Sequence, residues 1–162
     1  MKIRKYLWIL NLIGGIIIFI SILTPTSYND VTPTFYYVWM NQIGVDVDPV
    51  AIYLLRTDLM LVTMSTILAL IIFSSALITI ALTSIYIRNS LPIKKIQWKT
   101  IILAILVISS TLFWIIMMES FYNGSGYNHW IATGGGYTPY FGVIGPFIGA
   151  AFLLSGSFVR RE

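Results

Sequence analysis

Few side chains in this sequence can do chemistry, and those few stand outside its long apolar stretches. His129 is the single histidine and cysteine is absent. One chain therefore cannot assemble a bis-histidine haem, a sulfur-ligated metal or a thiolate nucleophile. His129 by itself offers one ligand or one pH-sensitive contact, or it is simply an exposed loop residue. Asp58 and Glu119 are a candidate carboxylate pair, and Arg56 gives the alternative of a structural ion pair with Asp58 or Glu119. No nucleophile can be matched with a general base. The chain reads as non-enzymatic, with no catalytic residue, no metal site and no cofactor.

The elements that must carry these groups follow from composition. Hydrophobic residues are 57% of the 162 and charged residues 10%, against about 25% charged in a soluble domain. Six acids and ten bases are too few to keep the surface of a soluble fold this size wet. The fold class expected is an all-α integral membrane protein: a four-transmembrane-helix bundle with a small extracellular β element in the first outer loop. The spans are predicted at about 6–24, 58–83, 100–118 and 138–159, near the roughly 20 residues a helix needs to cross about 30 Å of hydrocarbon. Outer loops of 25–57 and 119–137 and a cytoplasmic loop of 84–99 complete a single domain.

Basic residues set the orientation, because Lys and Arg are retained on the cytoplasmic side of short loops. Lys2, Arg4, Lys5, Arg88, Lys94, Lys95, Lys99, Arg160 and Arg161 fall on one side; only Arg56 falls on the other, with Asp30, Asp46, Asp48, Asp58 and Glu119. Both ends are thus expected in the cytoplasm of a multi-pass cell-membrane protein. This basic set is not gathered into a groove-reading helix, so no nucleic-acid partner is expected. A cleaved signal peptide is the competing reading of the first span, but its apolar run is longer than the usual 7 to 15 residues and no A-x-A site follows.

In the first outer loop, Val31 to Met40 is rich in β-formers and predicts one or two short strands. Phe35, Tyr36, Tyr37 and Trp39 crowd this segment as a partner-binding patch or as a contact with the bundle top and headgroups. Asp48-Pro49 has the pattern of a helix start, so the second helix is expected to begin above the membrane. The second outer loop holds Asn123-Gly-Ser-Gly126 and Gly134-Gly-Gly136, which mark turns. A strand over 128–133 is expected to pair with the first loop. Asn123-Gly-Ser125 matches a glycosylation acceptor. Tyr6, Trp8, Tyr86 and Trp98 are assigned to an inner aromatic belt, and Trp114, Tyr122 and Trp130 to the outer side.

Within the spans no Asp, Glu, Lys, Arg or His lies deep, although such groups mark ion and proton pathways. Asn11 and a set of Ser and Thr residues remain, and these read as interhelical glue. The fourth span carries Gly142, Gly145, Gly149 and Gly156 on one face, including the G-x-x-x-G of Gly145 to Gly149, with Gly14 and Gly15 of the first span as candidate neighbours. That face serves either dimerisation or packing inside the bundle. Pro146 is expected to bend this helix.

The layout resembles the claudin-like four-span families, including the peripheral-myelin-type proteins. They share cytoplasmic ends, a long first outer loop with β character, a shorter second loop and a glycine-rich last helix. Trp39 and, more loosely, Gly44 correspond to the tryptophan and the Gly-Leu-Trp run of that first loop; its two cysteines have no counterpart here. Gly134 to Gly145 also resembles the approach to the last helix in small uncharacterised four-span proteins of archaea. Two functions stay open. The first is a structural or accessory subunit that binds other membrane chains, as homo- or hetero-oligomer, among membrane lipids. The second is a small transporter or pore made by oligomerisation.

Overall fold

A computed structural model describes residues 7–29, 34–36, 38, 43–44, 59–89, 93–124 and 137–158. In chain order they form α1 (Leu7–Leu23), β1 (Ser27–Asn29), β2 (Thr34–Tyr36), β3 (Ile43–Gly44), α2 (Leu59–Asn89), α3 (Ile93–Gly124), β4 (Tyr137–Pro139) and α4 (Phe141–Phe158). The helices make a ring in which α1 packs on α2 and α4, and α3 packs on the same two from the other side, with α1 on α4 the most extensive seam. Stretches of α2 and α3, Leu59–Tyr86 and Ile96–Ser120, are long and apolar enough to cross a membrane; α1 and α4 hold shorter apolar stretches, Trp8–Leu23 and Phe141–Ser157.

Local sequence explains the helix ends. Pro25 disfavours helical geometry at Thr24, and the last turn of α1 closes by bonds from the Thr24 N–H (3.3 Å) and hydroxyl (2.9 Å) to the Ser21 carbonyl. Pro92 stands just before Ile93, a place where a missing N–H costs a helix nothing. The Tyr140 carbonyl opens α4 by accepting from the Val143 and Ile144 N–H groups at 3.1 and 3.3 Å.

Four of these bounds differ by several residues from the sequence-based spans. Helix α2 runs on to Asn89 and α3 already begins at Ile93 and lasts to Gly124, so most of the expected cytoplasmic loop 84–99 is helical. An uncharged run marks how much helix suits hydrocarbon, whereas Lys and Arg are good helix formers and let the helix continue. Helix α4 starts at Phe141 instead of 138 because Tyr137–Pro139 is a strand; Pro139 holds its predecessor in extended geometry. The start of the second helix near Pro49 lies outside the described residues.

The strands form one antiparallel sheet in the order β3-β2-β1-β4. Ser27 stands opposite both Tyr36 and Pro139, and Phe35 opposite Tyr28 and Ile43. The segment after α1 is thereby joined to the segment before α4. The strand pairing with the first loop is Tyr137–Pro139; the expected 128–133 strand lies outside the described residues. Val38 is buried with the core, whose largest members include Ile18, Ile72, Val107, Trp114, Met118 and Leu153. Trp114 is thus a core residue and not part of an aromatic belt: its indole N–H points inward to the Ser65 hydroxyl at 3.3 Å. Phe19 of α1 and Phe73 of α2 meet with ring centroids 5.4 Å apart.

Backbone runs against backbone along the α1–α4 seam. A Cβ at Gly142 would stand 2.5 Å from the carbonyl oxygens of Thr24 and Pro25, and one at Gly149 would stand 2.5 Å from Ile18 Cγ1 and 2.7 Å from the Gly14 carbonyl oxygen. At Gly15 the neighbours are the yielding side chains of Ile80 and Thr79, at 3.0 and 3.3 Å. We therefore expect Gly142→Ala and Gly149→Ala each to lower stability by about 1–3 kcal/mol, the usual cost of overpacking. Gly15→Ala should change it by less than about 1 kcal/mol, since the gain in helix propensity offsets the tight contact. Reversible unfolding in detergent, followed by circular dichroism, measures the difference; equal effects at the three positions would contradict the seam.

Candidate functional site

Among the described residues, the polar groups inside the bundle are mostly hydroxyls and amides, with one Glu119 carboxylate oxygen also buried. Near the sheet, Ser21, Ser65, Ser110 and Thr111 are buried, and Ser21 and Thr111 donate to the Ile18 and Val107 carbonyls at 2.7 and 2.8 Å. At the opposite end, Asn11 on α1, Thr79 and Thr83 on α2, Thr100 on α3 and Ser157 on α4 are buried. Thr79 and Thr83 donate to the carbonyls of Ser75 (2.8 Å) and Thr79 (2.7 Å). Thr100 bonds the Gln97 carbonyl at 2.9 Å and Ser157 bonds the Leu153 carbonyl at 2.7 Å. The two hydroxyls lie 2.6 Å apart, and Gln97 Nε2 donates to the Ser157 carbonyl at 3.0 Å. A hydroxyl that bonds the turn before it is ordinary in a helix without water, and none of these oxygens sits beside a base that would make it a nucleophile.

The glycines proposed for partner binding are already occupied. Gly142, Gly145 and Gly149 press on Thr24 and Pro25, Ser21, and Ile18 with Gly14 respectively, all of the same chain. Of the two readings of that face, packing inside the bundle accounts for these three; Gly156, further along α4, is half-buried. Gly14 is the neighbour expected on α1, whereas Gly15 turns to Thr79 and Ile80 of α2. Phe35 and Tyr36 lie in β2; Phe35 is paired on both sides, with Tyr28 and Ile43, and Tyr36 with Ser27. Tyr37, Trp39, Arg56, Asp58 and His129 fall outside the described residues. Glu119 is half-buried on α3 next to the core residue Met118. Among the described residues no three His, Asp or Glu side chains come together.

On the outside of the bundle, an open groove of about 370 Å³ runs between α2 and α3, lined by Leu70, Ile71, Ser75, Ile78, Leu103 and Leu106 among others. Its hydroxyls are those of Ser74, which is exposed, and Ser75, which is bound to the Ile71 carbonyl at 2.8 Å, so the groove offers shape and a mostly apolar surface. Sequence reasoning singled out Asn11 only as glue. In the structure its Oδ1 is buried with no hydrogen-bond partner among the described residues, a condition it shares with Ser27 Oγ at the sheet. The available signal was its type: it is the one amide within the four predicted spans.

Comparison with family models, with curated proteins and with solved structures finds no match to this chain. What the chain can do therefore rests on the bundle itself. The Thr100–Ser157 contact is the one described hydrogen bond between side chains of α3 and α4. We expect a double-mutant cycle of Thr100→Val and Ser157→Ala to give a coupling of about 0.6 kcal/mol, the mean for hydrogen bonds between membrane helices, with about 1.7 kcal/mol as the ceiling. Unfolding free energies of the four proteins in one detergent supply the test, and strictly additive effects would remove the bond from the account.

Proposed function

We propose that this chain is a four-span integral membrane protein, with both ends cytoplasmic and the sheet outside, that serves as a non-enzymatic structural or accessory subunit for other membrane chains. One observation carries the membrane reading. Of the most apolar stretches of α2 and α3, only 39% is buried within the bundle, and what they expose is Leu70, Leu77, Ile78, Ile102, Ile105 and Ile116. The core helix of a soluble protein this apolar would be covered on all sides. Here many large aliphatic side chains face outward while Asn11 and part of the Ser and Thr set, among them Thr79, Thr83, Thr100 and Ser157, are buried, a distribution that suits a lipid solvent.

Orientation rests on the charges. Arg88 and Lys99 are exposed at the end away from the sheet, together with Trp98 at 72% exposure, as an inner interface with its basic and aromatic anchors requires. The scarcity of chargeable groups within the four helices favours the accessory reading over a pore. With the glycine face taken up by α1, partners are left the outer faces of α2 and α3 and the aromatic first loop, Phe35, Tyr36, Tyr37 and Trp39. The layout shared with claudin-like proteins points the same way.

The natural absence of cysteine makes orientation directly testable. In intact cells, a membrane-impermeant maleimide should label Asn41→Cys and Ser125→Cys but leave Ser90→Cys unlabelled until the membrane is permeabilised; labelling of Ser90→Cys from outside would invert the topology. For function, the tagged chain should leave its native membrane, in mild detergent, as part of a larger stoichiometric hetero-complex. Recovery as a monomer or a homo-oligomer alone, by native-size analysis and mass spectrometry, would overturn the accessory reading.

A further inference from the structure

Asn11 is 8% exposed and its Oδ1 has no hydrogen-bond partner among the described residues. Its direction follows from its neighbours on α1. Gly14, three residues on, faces Gly149 and Leu153 of α4, and Gly15, four residues on, faces Thr79 and Ile80 of α2. Residue 11 lies between those two directions, in line with Ile18, which is wholly buried. Asn11 therefore points into the bundle and not at lipid. Antiparallel register gives its level: one turn before Gly15 on α1 corresponds to one turn after Thr79 on α2, which is Thr83, and one turn before Gly14 corresponds to one turn after Leu153 on α4, which is Ser157. Thr100 belongs to the same level through its 2.6 Å contact with Ser157. Each of the four helices thus contributes one buried polar side chain to a single layer.

That layer has acceptors to spare and no free donor for Asn11. The Thr83 proton goes to the Thr79 carbonyl, the Thr100 and Ser157 protons to backbone carbonyls and to each other, and the Gln97 amide to the Ser157 carbonyl. Leaving a buried amide oxygen unpaired costs about 1–3 kcal/mol. We infer that the Asn11, Thr83, Thr100 and Ser157 layer is a binding site for internal water, with Asn11 as its principal ligand. Water fits better than a cation because it serves the Asn11 amide whichever end is turned inward, donating to Oδ1 or accepting from Nδ2. Room for one molecule, about 10–15 Å³ of probe volume, is all it requires. Four residues separate Asn11 from the start of α1, a depth of about 6 Å at 1.5 Å per residue, so solvent at that end is close enough to supply it. This inference depends on the bundle alone and not on the accessory reading.

The test is brief X-ray radiolysis of the full chain in lipid nanodiscs made up in ¹⁸O-water, with mass spectrometry of the peptides. Leu153, which touches the Gly14 position, and Ile72, in the mid-bundle core, are both wholly buried, so bulk solvent reaches neither. Bound water should give Leu153 several-fold more ¹⁸O than Ile72, and Asn11→Leu should bring Leu153 down to the Ile72 level. Should Asn11→Leu fail to fold, Thr83→Val, which removes a ligand while keeping the side-chain shape, should lower the Leu153 signal likewise. Equal, low incorporation at Leu153 and Ile72 in the unsubstituted chain would overturn the site, as would a Leu153 signal that survives loss of Asn11 or Thr83.

Discussion

Everything at the sheet end of this bundle depends on α1 and α4 meeting backbone to backbone. The Gly142 N–H donates to the Pro25 carbonyl at 2.8 Å, and the Tyr140 N–H to the Thr26 carbonyl at 2.8 Å. Those two bonds fix where α1 ends relative to where α4 begins, and so hold β1 beside β4 with Ser27 opposite Pro139. A β-strand of three residues has no stability of its own. It is stable here because the helices on which it is mounted are already in register. The seam in turn exists because side chains are absent at Gly142 and Gly149, which lets dispersion contacts and carbonyl dipoles act at close range.

Polarity along the rest of the bundle is sorted opposite to that of a soluble protein. Thr79, Thr83, Thr100 and Ser157 are inside, and Leu70, Ile78, Ile105 and Ile116 are outside. The inner hydroxyls do not build a reactive site, because each spends its proton on a carbonyl of its own helix or on a neighbouring hydroxyl. What these four hydroxyls leave free is a set of lone pairs, able to hold helices and water.

Helix number and the α1–α4 glycine contact were legible in the sequence, since each reduces to a pattern along one segment. Burial of the interhelical Ser and Thr set was legible only in part, for Ser65, Ser75, Thr79, Ser110 and Thr111 are buried while Thr66, Ser74 and Ser109 are exposed. Runs without charge gave the helices, and Gly142, Gly145 and Gly149 recur at helical spacing. What stayed hidden depends on two segments at once. Nothing in α4 alone says that its glycines meet Thr24, Ser21 and Ile18 of the same chain and not a second copy. Nothing in Tyr137–Pro139 says that a partner strand waits at Ser27–Asn29, and so those residues read as the start of a helix. Trp114 looked like a belt residue because tryptophan favours interfaces; its partner Ser65 lies 49 positions away. Asn11 was visible as an amide in an apolar run, but its lack of a partner is a fact about three other helices.

A glycine seam cannot by itself set the register of two helices. Gly142, Gly145 and Gly149 repeat at three and four, so sliding α4 by one turn against α1, about 5.4 Å, would bring one glycine close to the place of another at modest steric cost. Polar anchors at both ends forbid the slide. At the sheet end it would part the β1–β4 pairing and the bonds to Pro25 and Thr26. At the other end it would break Ser157 from Thr100 and carry Ser157 away from the level of Asn11. Each polar group so stranded costs about 1–3 kcal/mol, which exceeds what a shifted glycine contact can return. The smooth middle allows close approach and the polar ends choose the one position for it, the division of labour that a buried asparagine performs in coiled coils.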